Sequence, residues 1–111
     1  MTDPRSRLDA LRADTLGRIA TLRAELDDVI GSASSTTGDD EHDPEGATIG
    51  FERAQAQALL DAAQTQLVAI EAALDRVDAG TYGVCVVCGR PIGEERLQAR
   101  PAADRCIACA S

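Results

Sequence analysis

The sequence predicts a mostly α-helical protein: a long antiparallel helical hairpin of the coiled-coil kind, followed by a small module built on four cysteines. Two apolar repeats of helical period occupy the first 80 residues, with a polar acidic stretch between them, and all four cysteines come later. The 111 residues include one Phe, one Tyr and no Trp, a composition that suits narrow helix seams better than a thick core. We therefore predict a hairpin over residues 1–80 and a finger over 81–111.

The first helix is predicted to begin at Asp3-Pro4, with Asp as N-cap and Pro at the first helical position. Leu16 is expected to widen its apolar stripe, whereas Thr15 and Gly17 weaken its middle. Gly31 is the expected stop. The periodic apolar positions of the stripe are Leu8, Leu11, Ile19, Leu22, Leu26 and Val29; Ile30, like Leu16, is expected to widen it.

A polar loop is expected at about residues 31–47, between the two helices. It contains five acidic residues and no Arg, so much of the negative charge of the chain is concentrated here. A connection of this length between two long helices favours an antiparallel hairpin. The loop would then form an acidic tip.

The second helix has the more regular repeat, with spacings of four and three that predict a coiled-coil seam. Gly80 is the expected stop. Arg53 is the one polar residue of the seam. The seam positions are Ile49, Arg53, Ala56, Leu60, Ala63, Leu67, Ile70, Leu74 and Val77.

The cysteines form two C-x2-C pairs, Cys85/Cys88 and Cys106/Cys109, separated by seventeen residues. This spacing predicts one zinc ion held by four thiolates. The only histidine, His42, lies far away in the sequence, so the site is closed and structural. Disulfides or a redox centre are the alternatives. The N-terminus has no apolar signal segment, which favours a reducing compartment, and we expect a cytoplasmic protein.

The finger is expected to have a miniature core and one short helix. The core would comprise Ile92, Leu97, Ile107 and the two valines Val86 and Val87, and the helix would span Glu94 to Ala99.

The charge balance and the closed metal site exclude several classes of function. A net charge of −8 opposes general affinity for nucleic acid, so we expect no direct DNA binding. No apolar run approaches the length of a membrane span. A four-thiolate site leaves no position for substrate, and one histidine cannot supply a catalytic set, so we expect no enzymatic activity. The seam is expected to be internal and the protein monomeric.

The finger closely resembles the C4 zinc finger of the DksA/TraR family. The matching residues are Tyr82-Gly83-x-Cys85-x-x-Cys88-Gly89-x-Pro91-Ile92-x-x-x-Arg96-Leu97-x-Ala99-Arg100-Pro101-x-Ala103-x-x-Cys106-x-x-Cys109. The resemblance implies a transcription regulator that inserts a helical hairpin into the secondary channel of bacterial RNA polymerase. Such proteins bind the enzyme rather than DNA, and they change the lifetime of promoter complexes.

The resemblance also implies roles for individual residues. The family tip carries Asp-x-x-Asp followed by x-Ala; Asp40 and Asp43 have this spacing, but Glu45 stands where Ala is expected. Alignment on the family's Asp-Pro pair instead places Asp43 first and Gly46 at the second acid. Arg96 and Arg100 match arginines at the base of the family hairpin and are candidates for contact with polymerase or nucleotide.

Guanosine tetraphosphate acts jointly with some family members, but the lysines of that region are absent here. The residue after the last cysteine is Ala110. We therefore expect weak or absent dependence on this alarmone.

Two other functions remain open from the sequence. A zinc-stapled protein of similar shape could use its acidic loop on another basic partner. Alternatively, tip acids that hold a second magnesium ion would give a Gre-like stimulator of transcript cleavage.

Overall fold

The computed structural model describes residues 3–35 and 44–110, and for residues 29–47 it describes no side chains. Three helices form within these ranges: α1 (Pro4–Ser35), α2 (Pro44–Ala79) and α3 (Glu94–Ala99). The expected short helix of the finger is thereby confirmed. Among the described residues, β pairing is limited to one isolated antiparallel bridge between Val84 and Pro91.

In the described part of the chain, no helix combines the length and apolar character needed to cross a membrane.

The helix ends follow local chemistry at two of the three predicted positions. α1 begins at Pro4, and the N–H of Arg7 donates to the carbonyl of Asp3 at 3.0 Å. α2 ends before Gly80, which has φ 77°. There, Gly80 donates to the Val77 carbonyl at 3.2 Å and Thr81 to the Arg76 carbonyl at 2.9 Å. These two bonds make a Schellman cap, which favours glycine.

The stop predicted at Gly31 is wrong, because α1 continues to Ser35. A glycine inside a helix costs only about 1 kcal/mol relative to alanine, which is too little to end a long helix alone. The stretch expected as a loop at 31–47 is therefore helical at both margins, since α2 already begins at Pro44.

The chain divides into two compact units. The first contains the described residues up to Asp14 and from Gln66 onward, so the finger shares a unit with segments of α1 and α2. Its centre is formed by Leu8 of α1 with Ile70 and Ala73 of α2, all fully buried. Partly buried residues pack around this centre, from both helices and from the finger: Leu11, Leu74, Val77, Tyr82 and Ala102.

The second unit comprises Thr15–Thr65, with one segment from each long helix. Its buried residues are Thr15, Ile19 and Leu22 of α1 and Leu60 and Ala63 of α2. Leu60 and Ala63 are predicted seam positions of α2, and Ile19 and Leu22 belong to the predicted apolar stripe of α1.

Thr15, rather than Leu16, occupies the buried stripe of α1. Thr15 is fully buried, whereas Leu16 is 40% exposed, so the expectation that Leu16 widens the stripe is wrong. Thr15 lies four residues from both Leu11 and Ile19, and this spacing keeps the three on one helix face. Which of these two side chains is buried was therefore determined by its position on the helix face and not by its hydrophobicity.

Candidate metal centre

Backbone turns place the cysteines of the finger. The N–H of Cys85 donates to the Arg90 carbonyl at 2.8 Å, and the N–H of Gly89 returns to the Cys85 carbonyl at 3.0 Å. Gly89 has φ 75°, a conformation that side chains other than glycine rarely adopt. In the second pair, Cys109 donates to the Cys106 carbonyl at 3.0 Å. Each pair is thus a tight knuckle with both sulfurs on one side.

The two knuckles bring all four sulfurs together. The sulfur atoms of Cys85, Cys88, Cys106 and Cys109 lie within 4.8 Å of one another, and all four are free thiols. Cys88 Sγ and Cys106 Sγ are 3.7 Å apart. Tetrahedral zinc with Zn–S bonds of about 2.3 Å places its sulfurs about 3.8 Å apart. The cluster therefore fits one zinc ion, as the spacing predicts.

The sulfurs differ in their surroundings. Backbone N–H groups of Cys106 and Cys88 lower the pKa of the Cys85 thiol to about 6, against the opposing effect of its burial. Hydrogen bonding to the Cys106 side chain, together with burial, raises the pKa of Cys109 to about 12. Donors aimed at sulfur stabilise the thiolate form, which is the form that ligates metal.

The finger has a small core of its own, built on Cys85, Ile92 and Leu97. Ile92 and Leu97 were predicted to be there. Tyr82 packs against this core and also against the cluster around Ile70, so it links the finger to the helices of the same unit. Its hydroxyl donates to the Pro101 carbonyl at 2.8 Å, and burial raises its pKa. Tyr82 is the only tyrosine of the sequence and the first residue of the matching motif, but its packing role was not predicted.

Ile107, Val86 and Val87 are not in that core, so this part of the prediction is wrong. Ile107 is 76% exposed, and the two valines are 56% and 60% exposed. The reason is geometric: both sulfurs of a C-x2-C knuckle face the metal, so the two residues between them face away. The hydrophobicity of Ile107, Val86 and Val87 does not reveal that their side chains face away from the sulfurs.

The side chain of Arg96 is hydrogen-bonded to a backbone carbonyl of the finger. Its Nε donates to the Arg105 carbonyl at 2.8 Å, rather than pairing with the acids nearby in sequence. Arg100 caps α3, donating its backbone N–H to the Arg96 carbonyl at 2.7 Å. Both arginines line an open cavity of about 500 Å³, together with Gln66 and Arg105. The two candidate arginines therefore lie together at one concave surface.

The predicted tip residues are Asp40, Asp43 and Glu45. Asp40 and Asp43 lie outside the described residues. Glu45 belongs to α2, but its side chain is among those not described. Their role stays a prediction.

Paired long helices and a four-cysteine finger define the class: a helical hairpin protein with a C-terminal C4 zinc finger. The family model of the prokaryotic dksA/traR C4-type zinc finger matches residues 80–111. The solved structure of transcription factor DksA2 from Pseudomonas aeruginosa is 32% identical, with a TM-score of 0.55. That match covers 93% of this chain and 79% of DksA2. The chain therefore belongs to the DksA/TraR family.

Two curated relatives have a higher sequence identity than DksA2, but only over the region of the finger. The RNA polymerase-binding transcription factor DksA of Haemophilus influenzae is 52% identical over 40 residues, and that of Escherichia coli K12 is 50% identical over 40 residues. Each match covers 36% of this chain, but only 28% and 26% of the respective relatives. The chain thus aligns with about a quarter of their length.

Proposed function

We propose that this protein is a transcription regulator that binds bacterial RNA polymerase and modulates promoter complexes without catalysing a reaction. The observation that carries the proposal is the match to DksA2, because it extends over 93% of the chain and includes the long helices as well as the finger. The relatives named RNA polymerase-binding transcription factor support the same partner through the finger. Such a protein would act in the cytoplasm as a monomer.

In this proposal zinc has a structural role and the acidic tip has the regulatory one. Cys85, Cys88, Cys106 and Cys109 would hold the ion, which staples a segment too short to fold on its own apolar core. The tip would enter the secondary channel and place carboxylates near basic side chains or magnesium at the polymerase active centre. The net charge of −8 suits a basic environment of this kind.

Neutralising the tip is expected to separate binding from regulation. The double variant Asp40→Asn/Asp43→Asn keeps the size of both side chains and removes two negative charges. We expect it to co-purify with cognate polymerase core like the wild type, but to change open-complex lifetime at a ribosomal promoter several-fold less. Asp78→Asn, far from the tip in sequence, is the control. An unchanged effect of the double variant would remove the tip from the mechanism.

The cavity beside Arg96 and Arg100 is the proposed contact for polymerase or nucleotide. We expect guanosine tetraphosphate to alter the effect of the protein on open-complex lifetime by less than about twofold, because the lysines that the family places in this region are absent from the sequence. A titration of the nucleotide measures this. Strengthening by several-fold would contradict the expectation.

A second function, that of an acidic adaptor for another basic partner, is favoured by one groove in the second unit. Glu25 and Asp28 of α1 line it with Glu52 and Leu59 of α2, and no basic residue of the described part of the chain lines it. Failure to bind polymerase would favour this alternative. The Gre-like alternative predicts stimulated transcript cleavage that is lost in Asp40→Asn/Asp43→Asn, whereas the regulator predicts none.

A further inference from the structure

An exposed apolar surface lies on one side of α2, within the second unit. Phe51, the only phenylalanine of the sequence, is 71% exposed, and Leu59 is 51% exposed. Gln55 is four residues from each of them and is also exposed, and this spacing places all three on the same side of the helix. We name Phe51, Gln55 and Leu59 the α2 flank. Two large apolar side chains on one side of a helix indicate a contact surface more strongly than single exposed residues do.

An open groove of about 470 Å³ between α1 and α2 adjoins the α2 flank. Gln55 and Leu59 line this groove as well, so the groove and the flank form one continuous surface. The other lining residues are one alanine and three exposed acids: Ala56, Glu25, Asp28 and Glu52. The surface therefore has an apolar centre and a border of carboxylates from both helices.

The charge of the second unit indicates the sign of the partner. Residues 15–65 contain ten acids and three arginines, and none of these arginines lines the groove. Arg53 follows Phe51 by two residues, so it lies about 200° around the helix from Phe51 and away from the flank. Carboxylates beside an apolar surface repel acidic segments and nucleic acid, and they also repel the same surface of a second copy. The partner that fits is basic.

The geometry of this surface favours a helical partner over an extended one. Phe51 and Leu59 are eight residues apart, which is about 12 Å along α2, or roughly two helical turns. A helix lying along the groove can direct apolar residues at i, i+4 and i+7 to them and basic residues to the carboxylates. An extended segment gains affinity by adding to a sheet edge, and the described residues offer no strand, only the isolated bridge of the finger.

We propose that the α2 flank and the adjoining groove bind a basic amphipathic helix of a partner protein. Apolar contact with Phe51 and Leu59 supplies affinity, and the carboxylates of the border select a partner of the opposite charge. The inference goes beyond the proposed function, because the surface includes neither the predicted tip nor the finger and its binding requires no polymerase. It gives the acidic groove one specific class of occupant.

The test measures binding of a labelled synthetic peptide to the zinc-loaded protein by fluorescence anisotropy, without polymerase. The peptide has about four helical turns, with leucines on one face and lysines on the other. We expect saturable binding of this peptide, and no binding when glutamate replaces every lysine. A peptide of the same composition without helical periodicity is expected to bind at least about fivefold more weakly. Equally tight binding of that peptide would overturn the helical occupant.

The apolar component is tested at constant charge. Phe51→Gln/Leu59→Gln is expected to bind the amphipathic peptide at least about fivefold more weakly than the wild type. Leu16→Gln/Val68→Gln is the matched control, because both residues are exposed and neither lines the groove. It is expected to bind within about twofold of the wild type. Wild-type affinity in the flank variant, or an equal loss in the control, would overturn the proposal.

The charge component has its own test. Glu25→Gln/Asp28→Asn removes two charges from the groove, and Asp9→Asn/Asp14→Asn removes two from exposed positions of α1 outside the second unit. We expect the groove variant to bind the peptide at least about threefold more weakly than this control, and the difference to shrink at high ionic strength. Equal losses in the two variants would show attraction to net charge alone and contradict the proposal. Because no polymerase is present, failure here leaves the proposed function standing, and failure to bind polymerase leaves this inference standing.

Discussion

Replacing Cys85 by serine is expected to have the largest effect of any single change, with loss of zinc and unfolding of the finger. Cys85 is buried, and it is both a candidate ligand and part of the finger core. Changes to outer-shell groups of metal sites already cost about 10–100-fold in affinity, and loss of a ligand costs more. Zinc content by elemental analysis and helicity during a chelator titration measure the effect.

Val86→Ser is the matched control for Cys85→Ser, because it places serine one residue further on at an exposed position. It should keep its zinc. Acidification should release zinc from the wild type, since protons compete with the metal for thiolates. A Cys85→Ser protein that retains stoichiometric zinc and an unchanged melting curve would contradict a four-cysteine site.

Ile70→Ala is expected to destabilise the first unit by about 2–5 kcal/mol. Ile70 is fully buried between Leu8 and Ala73, and residues of the finger pack against the same cluster. Truncation would leave a cavity, and the tightly packed neighbours could close it only in part. Urea unfolding followed by circular dichroism gives the change in free energy.

Val68→Ala is the control for Ile70→Ala. It also truncates a β-branched residue of α2, but Val68 is 70% exposed, so we expect a change within about 0.5 kcal/mol. Alanine has a higher helix propensity than either residue, so helix propensity cannot cause a loss in these variants. Equal losses would therefore contradict the difference in packing between the buried Ile70 and the exposed Val68.

The parts of the molecule that the sequence predicted well are those governed by short-range spacing. The C-x2-C pairs predict the sulfur cluster because a knuckle needs only local turns. The repeat of α2 predicts Leu60, Ala63 and Ile70 as buried residues, and Gly80 meets the need of a Schellman cap for positive φ. In each of these cases the spacing or type of residues that are close in sequence is sufficient to predict the observed structure.

The errors arose where residue type was used without geometry. Ile107 and the knuckle valines were assigned to a core because they are apolar, but their place between two inward-facing sulfurs exposes them. Leu16 was preferred over Thr15 for the same reason. Gly31 was read as a stop, although the sequence on both sides of it continues α1.

Tyr82 links the metal-binding finger to the two long helices of the first unit. Its ring packs against both clusters of the first unit, and its hydroxyl is bound to Pro101. Zinc loss should therefore loosen the packing around Ile70 as well as the finger. A structural ion would in this way maintain the packing of the long helices within the first unit.

A photo-crosslink from the predicted tip to polymerase tests directly whether the tip enters the secondary channel. A photoreactive residue at His42, between the two tip acids, would be incubated with cognate polymerase core, and the crosslinked peptide identified by mass spectrometry. We predict a crosslink to the secondary channel or the active centre, abolished by a Gre factor that occupies the same channel. Stable binding with crosslinks only to the outer surface of the enzyme, or no binding at all, would contradict the account.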